Sequence, residues 1–359
     1  MTMNLLGNQS VEEDGEFRDF YLEAQFITGL ILYPITCLIG LAGNTLSIIV
    51  MSQHQMKSST NIYLMALAIS DCIKVFSDLL YFMVILLKEV NRPVGNRAYG
   101  FLYPYMHYIF NASLCISAWL VVSVAVERYV YVCHPTRVKT FCTIPRARTV
   151  STSVFVIMSL LTIPYAMRYR TVENYDAAKQ DFIYDVNLTT LWQNQTFSTA
   201  YIWLHNLLRS IIPLIVLIIL NTCIIYGLRR CRLTRKRISS RHRVTIMLIF
   251  IIVVFLVCIT PDAIMSTFFG FGYYEENYLA RGIREITDFL LLINAATNFV
   301  LYCIFNTIFW CNFKALFVNP CKQEKRPMQF EDSAYRKMSA TGRGSFCTTR
   351  KGSEKGDPV

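Results

Sequence analysis

The sequence predicts an all-α membrane protein: a seven-transmembrane helix bundle followed by a short amphipathic eighth helix. Composition is the first ground. Of 359 residues, 54% are hydrophobic and only 16% charged, with a mean hydropathy of +0.37. A soluble domain is nearer a quarter charged, so the apolar excess has to face lipid. The second ground is length: seven apolar stretches each reach the roughly 20 residues that crossing a bilayer requires. The third is charge placement. The connections after spans one, three and five, the C-terminal segment and the span ends beside them hold 24 Lys and Arg, against 9 on the opposite side. The basic side is cytoplasmic. The net charge of +11 is therefore a topology signal, and no nucleic-acid partner is expected.

Taken in order, residues 1–26 are an acidic N-terminus (Glu12, Glu13, Asp14, Glu16, Asp19, Glu23) expected outside the cell, with no apolar signal-peptide core. A membrane domain over 27–318 follows. Its first span, 27–52, carries Gly43-Asn44. The second, 61–87, carries Asp71, Lys74 and Asp78, whose spacing makes one acid–base–acid stripe. The third, 101–133, ends in Glu127-Arg128-Tyr129, then His134-Pro135. The fourth and fifth cover 146–167 and 200–228, the latter with His205, Arg209 and Pro213. The sixth, 244–271, has Cys258-Ile-Thr-Pro261-Asp262. The seventh, 284–306, places Asn294, Asn298 and Tyr302 on one face by their i, i+4, i+8 spacing. Prolines 34, 164, 213 and 261 are expected inside spans, where neighbouring helices satisfy the freed carbonyls. Spans two and three are the more polar and should face other helices.

The segment Phe309–Phe317 is amphipathic and expected to lie in the membrane interface. Cys321 beyond it is a palmitoylation candidate, with Cys311 secondary. Residues 319–359 form a polar tail expected to be disordered, with Ser333, Ser339, Thr341, Ser345, Thr348, Thr349 and Ser353 as phosphorylation candidates. The tail ends in Asp357-Pro-Val359, a weak PDZ-type signal. Sequons at Asn8, Asn187 and Asn194 fall on the predicted outer side and are glycosylation candidates. Asn111-Ala-Ser lies within a span, where it is unusable.

Polar residues in lipid are costly, and one such set per span, in this order, is a specific pattern. The sequence resembles a rhodopsin-like (class A) G-protein-coupled receptor from residue 27 to about 318. The phrases Val126-Glu-Arg-Tyr-Val-Tyr-Val-Cys-His-Pro135, Cys142-Thr-Ile-Pro-Arg-Ala-Arg148 and Asn298-Phe-Val-Leu-Tyr-Cys-Ile-Phe305 resemble FMRFamide-receptor-type neuropeptide receptors. The resemblance implies that Arg128, released from Glu127 on activation, meets a heterotrimeric G-protein α-subunit. Tyr129 and Pro135 would shape that surface, and Tyr302 would swing inward. It implies a sodium cluster of Asp71, Ser117, Asn294 and Asn298, for which a structural hydrogen-bond network is the competing reading. No other cofactor is implied. Arrestin and receptor kinases are implied partners. The family usually has proline at Phe299, tyrosine at Asn221 and tryptophan at Ile259, so the usual activation switch differs here.

The outer half is expected to hold an extracellular peptide, through Asp78, His107, Phe110, Asn111, His205, Arg209, Asp262, Glu285 and Asp288. An acidic, aromatic-lined vestibule suits a short cationic peptide. Two readings compete within it: Lys74 neutralising a carboxylate of its own stripe, and Arg209 pairing with Asp262 across helices. Phe110 stands where biogenic-amine receptors place aspartate, and residues 286–306 contain no lysine for retinal. No metal-ligand or nucleophile–base motif points to an enzyme. A class A receptor for a small non-peptide ligand is the alternative, and a polytopic channel or transporter a more distant one. The basic run from Arg229 to Arg243 is expected to meet the G protein and anionic membrane lipids. The cell surface is the expected location.

Of twelve cysteines, none falls in a predicted extracellular segment. Most class A receptors tie helix three to the second outer loop by a disulfide; the expected helix-three position is Tyr103, and residues 168–199 contain no cysteine. Packing of Tyr169, Tyr175, Phe182, Tyr184, Trp192 and Phe197 is expected to hold that loop instead.

Overall fold

The structure is a computed structural model that describes residues 17–176, 181–234, 240–268 and 278–318. Asn8, Cys321, the phosphorylation candidates and the C-terminal tripeptide lie outside those residues. So do the side chains of Phe182 and of Arg230 to Arg243.

Seven long helices make the bundle: α1 (Arg18–Ser52), α2 (Ser59–Val90), α3 (Arg92–Cys133), α4 (Ile144–Leu161), α5 (Gln195–Asn206, continued by Leu207–Ile211 and Ile212–Thr234), α6 (Ser240–Phe268) and α7 (Tyr278–Phe305). Among the described residues, α1, α3, α5, α6 and α7 are long and apolar enough to cross a membrane on their own terms; α2 and α4 carry more polar residues. A short helix, α8 (Thr307–Phe313), closes this unit. In a second compact unit only Lys314–Val318 is described, as a π-helical turn.

Local chemistry explains the boundaries. Ser58 caps α2 by accepting from Asn61 N at 3.2 Å, and Asn194 caps α5 by accepting from Phe197 N at 3.1 Å. Asn91 alone joins α2 to α3. The reversal needs Gly95, because a Cβ there would sit 2.4 Å from the Lys88 backbone. Proline lacks an N–H and crowds the carbonyl four residues earlier. Two prolines are preceded by π-helical stretches that absorb this misfit: Gln25–Leu32 before Pro34, and Leu207–Ile211 before Pro213. Pro261 lies within α6 as expected, and Pro104 within α3. Pro164 does not lie in a span: α4 stops at Leu161, and Pro164 opens the separate turn Ile163–Ala166. The ring could not join α4 without displacing a carbonyl, so the helix ends first.

The third helix is the axis of the bundle. In its most apolar window 72% is buried, against 17% for α1. Helices α1 and α7 approach closely through Gly43, where a Cβ would meet Phe299 Cβ at 2.9 Å. Asn44 Nδ2 donates across that seam to Ala295 O at 2.9 Å.

The feature absent from the sequence reading is a β-hairpin between α4 and α5. Strand β1 (Tyr169–Asp176) pairs antiparallel with β2 (Asp181–Leu188), Tyr169 opposite Leu188 and Tyr175 opposite Phe182. It packs on the start of α3. Thr171 Oγ1 donates to Gly100 O at 2.5 Å, and a Cβ on Gly100 would lie 3.0 Å from both Thr171 and Tyr184.

Candidate functional site

At the inner end of α3, Glu127 and Arg128 are buried. Arg128 Nη2 lies 3.6 Å from Glu127 Oε2, and Ser59 Oγ of α2 donates to Glu127 Oε1. The guanidinium also rests 5.2 Å from the Tyr131 ring. Tyr129 pairs with His134, its hydroxyl 3.2 Å from Nε2, next to exposed Pro135. Tyr302 is fully buried with its ring 5.6 Å from Phe309 of α8, and its hydroxyl has no hydrogen-bond partner among the described residues. Phe299 adds ring contacts to Phe309 and Phe313 at 6.0 and 5.6 Å. An aromatic thus occupies the position where the resembling family has proline, and it fastens α8 to α7.

In the middle of the bundle, Asp71 accepts from Ser117 Oγ at 3.0 Å and from Asn298 Nδ2 at 2.7 Å. Ser70 joins the group, 3.1 Å from Ser117 Oγ. Among the described residues no hydrogen bond joins Asn294 to it, and Asn294 is half-buried. Lys74 turns away from Asp71: its Nζ bonds Asp78 Oδ2 at 2.6 Å and lies 5.0 Å from the Phe110 ring centroid. Both carboxylate oxygens of Asp71 therefore remain in a small cage of hydroxyl and amide groups.

The remaining candidates lie in the outer half, on α2, α3, α5, α6 and α7, with an aromatic cluster beside the hairpin. His107 stands edge-on to Tyr165 and Tyr169, both at 5.2 Å, and Tyr103 lies 5.1 Å from Tyr169. His205 of α5 is buried, edge-on to Tyr165 at 4.6 Å, with Nε2 3.4 Å from Cys115 Sγ. Arg209 and Asp262, both buried, form an ion pair between α5 and α6. The π-helical stretch that carries Arg209 also exposes Leu208 O to Trp119 Nε1 at 2.9 Å. Arg284 and Asp288 pair along α7 at 3.6 Å, while Glu285 forms no ion pair among the described residues. Asn111 donates to His107 O at 2.8 Å. Its burial leaves no room for a glycan, whereas Asn187 and Asn194 are exposed.

Sequence reasoning missed Tyr165, Arg168, Ser59 and Asn206, the last buried on α5 with Nδ2 donating to Ser266 O of α6 at 3.4 Å. Tyr165 is fully buried among His107, Trp192, Tyr201 and His205, and Arg168 stacks over the Tyr169 and Trp192 rings at 5.1 and 4.9 Å. Both adjoin Pro164, which was the available signal. Outside the spans, burial raises the Tyr169 hydroxyl and the Cys142 thiol above their ordinary values, so both stay protonated at neutral pH.

The family described as 7 transmembrane receptor (rhodopsin family) matches residues 43–302. The chain is similar to the FMRFamide receptor of Drosophila melanogaster, 28% identical over 301 residues that cover 80% of this chain and 52% of that protein. It is similar to the sex peptide receptor of the same species, 26% identical over 81% of this chain and 73% of that protein. A probable G-protein coupled receptor of Caenorhabditis elegans is 24% identical over 80% of this chain and 68% of its own length. The chain thus spans about half the length of the first of these relatives and about three quarters of the second.

Proposed function

Because the chain belongs to the rhodopsin family of seven-transmembrane receptors, we propose that it is a plasma-membrane receptor for an extracellular neuropeptide and activates heterotrimeric G proteins. The ligand is a short, basic, C-terminally amidated peptide. The N-terminus is extracellular, consistent with the Lys and Arg bias toward the other side. The observation that carries the proposal is the span of α3. One buried helix runs from the aromatic cluster that it forms with the hairpin to the Glu127–Arg128 pair at its inner end. A ligand that stabilises one packing of that cluster thereby biases the inner end. Likeness to the FMRFamide receptor supports a peptide of that type.

Roles follow position. Arg128, with Glu127, Tyr129, Pro135 and Tyr302, forms the coupling face. Asp78, His107, Phe110, Asn111, His205, Arg209, Asp262, Glu285 and Asp288 are assigned to ligand binding in the outer half. Among the described candidates, Asp78, Asp262 and Asp288 have basic partners and Glu285, beside Gly29 of α1, forms no ion pair, so Glu285 is assigned to receive a cationic peptide group. The cage of Asp71, Ser117 and Asn298, with Asn294 nearby, binds sodium allosterically. Asn8, Asn187 and Asn194 carry glycans and Cys321 a palmitoyl chain. Arrestin and receptor kinases act on the phosphorylated tail, and anionic lipids meet the basic inner face. The test is guanine-nucleotide exchange in membranes from cells expressing the chain, challenged with amidated peptides. A dose-dependent response to peptides ending in Arg-Phe-amide is expected, together with loss of potency in Glu285→Gln.

A further inference from the structure

Glu285 stands where a salt bridge within its own helix would form readily. Arg281 precedes it by four residues on α7, and side chains at that spacing are neighbours, so an arginine and a glutamate there attract one another. Arg284 is the adjacent residue. Among the described residues neither pairs with Glu285. Arg284 Nε lies 3.6 Å from Asp288 Oδ2, and the Arg281 guanidinium is turned to the outer turn of α1.

That turn is shaped to receive it. Arg281 Nη2 donates to the Tyr21 hydroxyl at 2.7 Å, and the guanidinium carbon lies 4.3 Å from the Tyr21 ring centroid and 5.8 Å from that of Tyr278. Tyr21 is only 8% exposed. Two glycines permit the approach. A Cβ on Gly282 would lie 2.5 Å from Phe20 Cε1, so the contact of α1 with α7 here depends on Gly282 lacking one. Further in, within the π-helical stretch Gln25–Leu32, a Cβ on Gly29 would lie 3.2 Å from Glu285 Oε2. Tyr21 and the Glu285 carboxylate therefore lie along one α1–α7 seam, and Arg281 is within side-chain reach of either.

A guanidinium that stacks on a ring and donates to its hydroxyl is held away from a carboxylate one turn along the helix. We propose that Tyr21 is a positioning residue for charge recognition: by holding Arg281, it leaves the Glu285 carboxylate open to the cationic group of the peptide. This rests on the reading above in which Glu285 receives that group. Tyr21 acts through Arg281 without touching the ligand. Without Tyr21, Arg281 turns to Glu285 and the acid is neutralised from within.

The experiment uses full-length receptor in cell membranes, nucleotide exchange as the readout, and peptides ending in Arg-Phe-amide, beginning with FMRFamide. Each is compared with two neutralised analogues, one with citrulline in place of arginine and one acetylated at its N-terminus. The larger of the two potency losses is the charge preference. In wild type it should be about 10- to 100-fold, the range for a charge-assisted hydrogen bond, and Glu285→Gln should bring it close to one. Tyr21→Leu should reduce it several-fold at matched surface expression. Adding Arg281→Gln should restore it, and this substitution should raise the preference several-fold more in the Tyr21→Leu background than in wild type. A tyrosine that only packs α1 on α7 would give no such rescue. A preference unchanged in Tyr21→Leu, or an equal effect of Arg281→Gln in both backgrounds, overturns the inference and leaves Glu285 as the receiving acid. Should Tyr21→Leu fail to reach the surface, Tyr21→Phe, which keeps the ring and loses the hydroxyl, takes its place under the same criteria. A wild-type preference near one, or one unchanged in Glu285→Gln, overturns the role of Glu285 and this inference with it. No response of wild type to any of the peptides overturns the peptide reading as a whole.

Discussion

The two ends of the bundle treat buried charge differently. In the outer half, buried charges sit in compact pairs, Arg209 with Asp262 and Lys74 with Asp78 at 2.6 Å, and the half-buried Arg284 and Asp288 pair more loosely at 3.6 Å. Aromatic rings fill the space between them. In the inner half, Arg128 has one carboxylate at 3.6 Å, and that carboxylate is also bonded by Ser59. Among the described residues, Arg128 Nε, Asn221 Oδ1 and the Tyr302 hydroxyl are buried there with no hydrogen-bond partner. Groups left in that state gain free energy from any rearrangement that supplies partners. Unpartnered buried acceptors also occur in the outer half, at Asn111 Oδ1 and Asn206 Oδ1 among the described residues, so the halves differ in how charge is held: in tight buried pairs outside, in the looser Glu127–Arg128 contact inside.

The sharpest way to break this comparison is at Arg128. Arg128→Ala removes the inner charge while leaving every outer pair intact. Nucleotide exchange should be lost at normal surface expression, with peptide affinity changed little. Full signalling at matched expression would remove Arg128 from the coupling face.

Next in size is the outer pair. Arg209→Met leaves Asp262 as an uncompensated buried carboxylate and should destabilise the receptor by about 3–5 kcal/mol. The double variant Arg209→Met/Asp262→Leu should recover most of that loss, because burying neither charge avoids the desolvation cost. Thermal inactivation of ligand binding measures both. Equal stability of the single and double variants would show that the pair is not coupled.

Between the two halves lies the Asp71 cage, where the effect should be smaller. Sodium should weaken agonist binding in wild type by about 1–3 kcal/mol, and Asp71→Asn should abolish that dependence. Lys74, held by Asp78, does not occupy the cage. An absence of any sodium effect would make the Ser117–Asp71–Asn298 contacts purely structural.

The seven helices were legible because each is written in consecutive residues, and five of them as runs long and apolar enough to cross a membrane. Pro164 was misplaced because a proline marks an interruption without saying whether the helix resumes beyond it. The hairpin was missed because its strands, Tyr169–Asp176 and Asp181–Leu188, are polar and lack strict alternation. They are fixed by α3 at Gly100 and Tyr103, some 70 residues away. The site was legible by residue type and in part by partner. Arg209 and Asp262 were visible as costly charges whose pairing was one of two competing readings, and the packing of α5 on α6 decides for it. Asn206 gave no signal, since an asparagine near a span end is ordinary.

That same distinction governs the smallest predicted effect, at the hairpin. Tyr103 stands where most class A receptors have a helix-three cysteine, and in this structure it still reaches the outer loop. Its ring lies 5.1 Å from Tyr169 and 4.8 Å from Tyr99. Phe101 meets Tyr184 at 5.7 Å, and Thr171 bonds Gly100 O. Aromatic packing thus joins the same two elements that a crosslink would join. Each such pair contributes about 0.5–1.5 kcal/mol beyond its buried area, and a disulfide typically 2–4, so the hairpin is fastened by several small contacts that can be released one at a time. Tyr103→Ala should speed proteolysis within 169–188 and weaken peptide binding by about 1 kcal/mol, without loss of expression. An impermeant reductant should leave binding unchanged, because the sequence from Tyr169 to Gln193 offers no thiol. Loss of binding under reductant, restored by reoxidation, would mean that a covalent bond holds the hairpin and that the sidedness assigned to the spans is wrong. If instead Tyr103→Ala and Tyr169→Ala each cost nothing, the hairpin rests on Gly100 and Thr171, and the outer half is less rigid than its paired charges imply.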